Sequence, residues 1–398
     1  MHAAARLAVA LLVLTAGARN VDASARPNGR VEAAFAQRSY APGGKAILRL
    51  RGGAAVLRLR LYHAGAGHEG PLEGSPVTAA RTVRGAATTI ALKLAAGWPS
   101  GLYYARVTTP GRGSWYAPFV LRPRTFGAHR VLVVLPTNTW QAYNFEDGGS
   151  WYENPEVATV QLARPFVDGG VPPHYHGYDR GFLRWLALHH HRPDFLCDDD
   201  LDRIARGDDL ARRYDLVVFS GHEEYVTEHE YDVVERYRDL GGNLAFLSSN
   251  NFFYKVVKHG DLMDGRWRWR DLGRPEAALV GAQYVDWNHD RYPNRPFTVT
   301  GVHREPWLFR GTGLDDGDTF GNYGIEIDAR HEVSPPGTRV LARIAGAFGR
   351  GKNAEMTYYT TRRGAKVFAA GVMNFGGSAL WPVVSTMMEN LWRYLRDP

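Results

Sequence analysis

The stretch Asp215-Leu216-Val217-Val218-Phe219-Ser220-Gly221-His222-Glu223-Glu224-Tyr225 constrains the fold most, because an apolar run stops at a glycine and hands over to polar and aromatic side chains. A run such as Leu216 to Phe219 reads as a strand buried on both faces, the habit of parallel sheets covered by helices. Polar side chains placed straight after such a strand stand where open α/β sheets bind ligands. The turn from His222 to Tyr225 is therefore the first place to look for chemistry.

Neighbouring segments extend the same pattern. Val131 to Leu135 is a β-branched run suited to a central strand. A helix is predicted over Asp179 to His189, with Phe182, Leu183, Leu186 and Leu188 on its apolar face, followed by a short strand before Cys197. This is βαβ logic. Thr227 and Glu230 form a T-x-x-E capping box for a helix striped by Val233, Val234, Tyr237 and Leu240, and Gly241-Gly242 stops it. Asn243 to Leu247 returns as a strand ending at Ser248-Ser249-Asn250-Asn251. Lys366 to Gly371 closes the sheet before Met373-Asn374-Phe375, and Trp381 to Leu395 reads as a final helix. Residues from about 260 to 350 show no clear period and read as an irregular insertion with short strands.

Upstream, short alternating runs such as Ala46 to Leu50, Ala55 to Tyr62 and Leu102 to Val107 are separated by turn-forming residues. Strands at this spacing predict an immunoglobulin-like β-sandwich over residues 26–122, with Arg122-Pro123-Arg124 as the hinge out of it. The fold expected is thus α/β with an all-β N-terminal domain. The second domain, 123–398, would be a doubly wound, mostly parallel sheet of glutamine-amidotransferase-like or flavodoxin-like type. A chain of 398 residues is long enough for two such cores.

Residues 1–25 differ in kind: Arg6 precedes the apolar run Leu7 to Leu14, and small residues then offer cleavage sites at Ala16-Gly17-Ala18 or Ala23-Ser24-Ala25. This reads as a secretory signal peptide, so the expected location is secreted or periplasmic. No later segment approaches the roughly 20 apolar residues a membrane helix needs, so no integral membrane segment is expected after signal removal. The formal charge of +7 is spread through alternations such as Leu57-Arg58-Leu59-Arg60-Leu61, which form a solvated strand face and point to no nucleic-acid partner. The single cysteine, Cys197, lies beside Asp198, Asp199 and Asp200, whose charges oppose a thiolate and argue against a nucleophile.

Four predicted strand ends carry unusual residues: Asn138 to Asn144, His222 to Tyr225, Ser248 to Asn251, and Asn374. In a mostly parallel sheet these ends share one edge. No G-x-S/C-x-G elbow follows any predicted strand, which argues against covalent Ser or Cys catalysis. His189-His190-His191 point in three directions on a helix and cannot share one metal, so they read as a solvated helix end.

Thr137-Asn138-Thr139-Trp140-Gln141-Ala142-Tyr143-Asn144, Ser220 to Tyr225, Gly241 to Asn250 and Asn353-Ala354-Glu355-Met356-Thr357 together resemble the C-terminal region of the large (beta) subunit of N,N-dimethylformamidase. The resemblance covers roughly Ser100 to the C-terminus. It implies a mononuclear Fe(3+) held by two tyrosines and one glutamate, with the metal activating water for attack on a formamide carbonyl. Matched by motif, Tyr143 and Glu224 would be two ligands. The third falls in Ser100-Gly101-Leu102-Tyr103-Tyr104, where adjacent strand residues face opposite ways; the family's spacing favours Tyr103, with Tyr104 as fallback. His222 would carry a proton or stabilise an oxyanion, and Glu355 would be a second carboxylate near the site. Hard oxygen donors suit a hard, highly charged ion.

The expected activity is hydrolysis of a C–N bond in a small-molecule amide or formamide-like substrate. Two rivals stand beside it. One is a secreted non-catalytic module binding carbohydrate through Trp267, Trp269, Trp287 and Trp307, and the other is a metal-free α/β hydrolase. The family's enzyme has a longer large subunit and a separate small one, so substrate and assembly are the properties most exposed to difference; a homo-oligomer stays open.

Overall fold

A computed structural model describes residues 31–85, 87–145, 149–152 and 156–397. The signal-peptide expectation for residues 1–25 lies outside them. The N-terminal part is built from two sheets that share one apolar cluster. One sheet has Glu32–Phe35, Lys45–Arg51 and Thr89–Lys93; the other has Gly113–Leu121, Gly101–Thr109 and Val56–His63 at its centre. Along Lys45–Arg51, Ala46, Leu48 and Leu50 are buried while Lys45 and Arg49 are exposed, the period of two that a half-covered sheet imposes. The alternating arginines of Val56–His63 follow the same rule.

The rest of the chain is organised on a mixed sheet of nine strands, an α/β-type arrangement. Five strands run parallel in the spatial order Asp194–Cys197, Val131–Leu135, Leu216–Phe219, Asn243–Phe246, Lys366–Ala369. All five residues of Val131–Leu135 and all four of Leu216–Phe219 are buried, as strands covered on both faces must be. From Val131–Leu135 the chain next joins this sheet on one side, and from Leu216–Phe219 on the other. Where consecutive connections diverge in this way, a crevice opens beyond the C-terminal ends of the two strands.

Four antiparallel strands continue the sheet: Ala354–Thr360, Arg339–Ile344, Arg295–Val299 and Thr319–Tyr323. The region from about 260 to 350 is therefore not an irregular insertion throughout, since three of its strands lengthen the main sheet. Others build smaller sheets around the crevice. Tyr225–Thr227, Tyr254–His259, Leu262–Arg268 and Thr159–Gln161 form a four-stranded sheet, and Gln283–Trp287 pairs with Glu326–Ala329.

Helices form where the sequence signals them. Glu228–Asp239 starts at Thr227, whose Oγ1 accepts from the Glu230 amide at 3.1 Å while Glu230 Oε2 accepts from the Thr227 amide at 2.6 Å. The others that flank the sheet include Arg180–Leu188 and Pro382–Arg396. No helix among the described residues is long and apolar enough to cross a membrane.

Charged groups tie the two-sheet unit to the main sheet. Arg38 Nε donates to Asp199 Oδ2 at 2.6 Å, and Ser39 Oγ donates to Asp200 Oδ1 at 2.7 Å. Lys258, 8% exposed, reaches Asp199 and Asp202 at 3.3 Å and Glu230 at 3.0 Å. The Asp198-Asp199-Asp200 run that opposes a Cys197 thiolate is thus the anchor of an ion-pair network. Cys197 itself is fully buried, and burial, then Asp200, pushes its thiol well up.

Candidate functional site

The crevice residues are held by their own backbone neighbours. The short helix Thr137–Ala142 leaves Val131–Leu135 with all six residues buried. Asp198 grips its start, accepting from Thr137 Oγ1 at 2.7 Å and the Asn138 amide at 2.6 Å. Thr139 Oγ1 accepts from the amides of Glu224 at 3.1 Å and Tyr225 at 3.3 Å, which locks this helix to the turn after Leu216–Phe219. Gln141 and Asn144 use their carbonyls to bind Arg164 Nη2, each at 2.9 Å. A Cβ at Gly221 would crowd the buried Asp179 carboxylate, so glycine lets the turn pack closely there.

Three hydroxyl or ring groups converge on one carboxylate oxygen. Tyr143 donates to Glu224 Oε2 at 2.9 Å and Tyr152 donates to the same atom at 2.8 Å. The two phenol rings stack with centroids 3.9 Å apart. His222 Nε2 lies 3.4 Å from Glu224 Oε2 and 3.9 Å from Glu326 Oε2, and is buried without a hydrogen-bond partner. The Tyr152 hydroxyl also meets that of Tyr225 at 2.6 Å. Tyr152 is 42% exposed, yet its hydroxyl turns inward to Glu224 and Tyr225.

Burial sets the electrostatics. It pushes the Glu224 carboxyl up to about 7, against the pull of the hydrogen bonds from Tyr152 and Tyr143. Burial first, and the Glu224 charge second, hold Tyr143 and Glu326 well above their ordinary values. The imidazole of His222 is pushed down to about 3 by burial and then by His174, so it is neutral near pH 7. Beside it lies a small cavity lined by Trp140, Tyr143, His174, Tyr178, Asp179 and His222, with an interior of about 10 Å³, the scale of one water. Asp179 Oδ1 is buried there without a hydrogen-bond partner, and burial pushes its carboxyl up to about 7.

These donors fit a hard cation. Two phenol oxygens, the buried Glu224 carboxylate, the half-buried Glu326 carboxylate and an unpartnered imidazole nitrogen face one region, and neither carboxylate is ion-paired to a Lys or Arg among the described residues. Among those residues no three His, Cys, Asp or Glu side chains are grouped so as to hold a metal, so a cation here would have to draw on the phenols as well.

The expected residues separate into two groups. Tyr143, Glu224 and His222 come together. Tyr103 does not join them: it lies in the core of the two-sheet unit, stacked on His63 and Trp98, and its hydroxyl donates to the Pro99 carbonyl at 2.9 Å. Tyr104 points to the opposite face, as a strand neighbour must, and donates to the Glu69 carbonyl at 2.6 Å. Glu355 is also elsewhere, bound by Arg343 Nη2 at 2.6 Å and by the Arg330 amide at 3.0 Å. Tyr152 and Glu326 stand where Tyr103 and Glu355 were expected. Nothing local in the sequence marks either residue, since both lie in segments without hydrophobic period.

The remaining motifs settle into packing. His189 Nδ1 and His191 Nε2 both meet Glu389 Oε1, at 2.9 and 2.7 Å. Trp269 is buried and Trp307 stacks on Tyr394 at 4.1 Å, leaving only Trp267 and Trp287 of the four tryptophans exposed, on different sheets. They form no common sugar platform.

The chain is therefore a mixed-sheet α/β-type protein with a buried phenol, carboxylate and imidazole centre at the C-terminal edge of its parallel strands. Residues 75–383 match the family described as N,N-dimethylformamidase beta subunit-like, C-terminal, and the chain belongs to that family. The N,N-dimethylformamidase beta subunit of Paracoccus aminophilus is 24% identical over 411 residues, covering 75% of this chain and 53% of the relative. That of an Alcaligenes species is 24% identical over 284 residues, covering 55% and 37%. The chain thus spans about half the length of the first relative and less of the second. Among solved structures, a superoxide reductase (neelaredoxin) from Ignicoccus hospitalis aligns with a TM-score of 0.16 at 19% identity, over 23% of this chain and 77% of the other.

Proposed function

We propose that this chain is an exported, metal-dependent hydrolase that cleaves a C–N bond in a small amide or formamide-like compound. The observation that carries the reading is the convergence of Tyr143, Tyr152 and His222 on Glu224 Oε2, with Glu326 close by and no lysine or arginine paired to either carboxylate among the described residues. We read the N-terminal unit as an immunoglobulin-like sandwich. The parallel strands, in the order 2-1-3-4-5, we read as a flavodoxin-like doubly wound sheet, whose ligands bind at the divergence of its connections. The name carried by the two relatives, N,N-dimethylformamidase beta subunit, supports amide hydrolysis over the rival activities.

Tyr143, Tyr152 and Glu224 would hold the metal, and ferric iron suits phenol and carboxylate oxygens better than zinc, which more usually recruits His or Cys. Once bound, such an ion supplies Lewis acidity toward a carbonyl oxygen and toward water. The protein's own groups do the rest. His222 Nε2, buried 3.4 Å from Glu224 Oε2 and without a hydrogen-bond partner, is placed to exchange a proton with water and with the leaving amine. The Tyr152 ring, stacked on Tyr143, holds the two phenol hydroxyls side by side at Glu224. The cavity beside Tyr143 and His222 has room for only a small group.

The test is release of amine from a panel of small amides by the purified chain, before and after chelation. Activity that disappears on metal removal and returns with iron is expected. Activity indifferent to chelation contradicts metal dependence, and no amine release from any of the amides contradicts the hydrolase.

A further inference from the structure

A serine, a histidine and a glutamate line up outside the crevice, where the end of the helix Arg180–Leu188 meets the helix Pro382–Arg396. Ser385 Oγ lies 3.2 Å from His189 Nε2, and His189 Nδ1 lies 2.9 Å from Glu389 Oε1. The carboxylate takes the Nδ1 proton and so fixes the tautomer, which leaves the Nε2 lone pair facing the hydroxyl. Hydroxyl to Nε2 and Nδ1 to carboxylate is the order that activates serine on unrelated folds, and geometry defines it where no G-x-S-x-G motif does.

The imidazole is held from several sides. Its ring packs on Trp185 with centroids 5.2 Å apart, and Glu389 is itself oriented by His191 Nε2 at 2.7 Å and by Arg393 Nη2 at 3.5 Å. Ser385 and Glu389 share a helix face at i and i+4. The His189 side chain is 36% exposed and Ser385 is half-buried, so a substrate can reach both. Ser385 also follows the first turn of its helix, which has no side-chain cap, and the Val383 and Val384 amides there have no acceptor within the helix. A helix start of this kind favours the negative charge that grows on a carbonyl oxygen under attack. Leu188, next to His189, and Trp381, one turn before Ser385, are exposed and apolar, which suits an apolar acyl group.

We propose that Ser385, His189 and Glu389 form a second, metal-independent site that cleaves small apolar esters through an acyl-serine. Ser385 Oγ bonds to the carbonyl carbon as its proton passes to His189 Nε2; the ester C–O bond then breaks and that proton leaves with the alcohol. Water gives a proton to the same nitrogen, its oxygen bonds to the acyl carbon, and the acid departs as Ser385 regains the proton. Glu389 touches no reacting atom and is the positioning residue.

An alkyl fluorophosphonate and p-nitrophenyl butyrate test this on the full chain, both in EDTA so that metal chemistry at the crevice is silent. Peptide mass mapping should find the phosphonate on Ser385, with fluoride displaced. Ser385→Ala should abolish the label, and His189→Gln should slow labelling at least about a hundredfold, the scale of a lost general base. Glu389→Gln should lower kcat on the ester by about tenfold or more with KM unchanged, because the tautomer is no longer fixed. No phosphonate on Ser385, or labelling of His189→Gln within twofold of wild type, overturns the proposal. Ester hydrolysis that persists in Ser385→Ala also overturns it, by placing the reaction elsewhere, and an unchanged kcat in Glu389→Gln overturns the positioning role.

Discussion

Replacing Glu224 with glutamine is expected to empty the chain of metal and to abolish amine release while leaving the fold intact. Tyr143, Tyr152 and His222 all address one atom, Glu224 Oε2, and the backbone amide of Glu224 is fixed separately by Thr139. The variant therefore loses the charge without losing its position. Changes one step removed from a metal typically cost about 10–100-fold in affinity, so a residue on which two phenols converge should cost more than about a hundredfold. Iron content after dialysis reads this directly, and circular dichroism reads the fold. Wild-type iron content in Glu224→Gln would contradict the placement of the site.

The largest effect on stability is expected at Lys258. Its ammonium is 8% exposed and faces Asp199, Asp202 and Glu230, while Asp199 also binds Arg38 from the two-sheet unit. Lys258→Met fills the same space but leaves these acids short of a cation in a poorly solvated place. Breaking a buried pair from one side costs about 3–5 kcal/mol, and this site should lie in that range because Arg38 relieves only Asp199. Urea denaturation of the two chains measures it. A loss below about 1 kcal/mol would mean that solvent or a shared proton already neutralises the cluster.

Much of the architecture was legible because local signals agreed with it. The period of two in Lys45–Arg51 and Val56–His63, the apolar runs at Val131–Leu135 and Leu216–Phe219, and the Thr227/Glu230 capping box each follow from residue type and spacing alone. Strand ends along one edge then brought Tyr143 and Glu224 together from 81 positions apart. The antiparallel extension was hidden for a physical reason. Its strands carry register shifts between Arg295 and Phe297 and between Val340 and Ala342, and each shift breaks the alternation that would reveal a strand. Glu326 was hidden with them, because its place depends on pairing with Gln283–Trp287 and on Asn250. Tyr103 marks a limit of motif matching: its strand lies in the two-sheet unit, and neither its hydroxyl, which meets Pro99, nor that of Tyr104 on the opposite face, which meets Glu69, reaches Glu224.

The central claim is that tyrosine oxygens at this sheet edge hold a ferric ion, and the visible absorption spectrum of the iron-loaded chain tests it most directly. Ferric phenolate absorbs in the visible by charge transfer. A coloured wild type is predicted, with a band weakened in Tyr143→Phe and in Tyr152→Phe but unchanged in Tyr103→Phe, whose hydroxyl is occupied by Pro99. A colourless iron-treated protein, or a band that survives loss of both Tyr143 and Tyr152 hydroxyls, would contradict it.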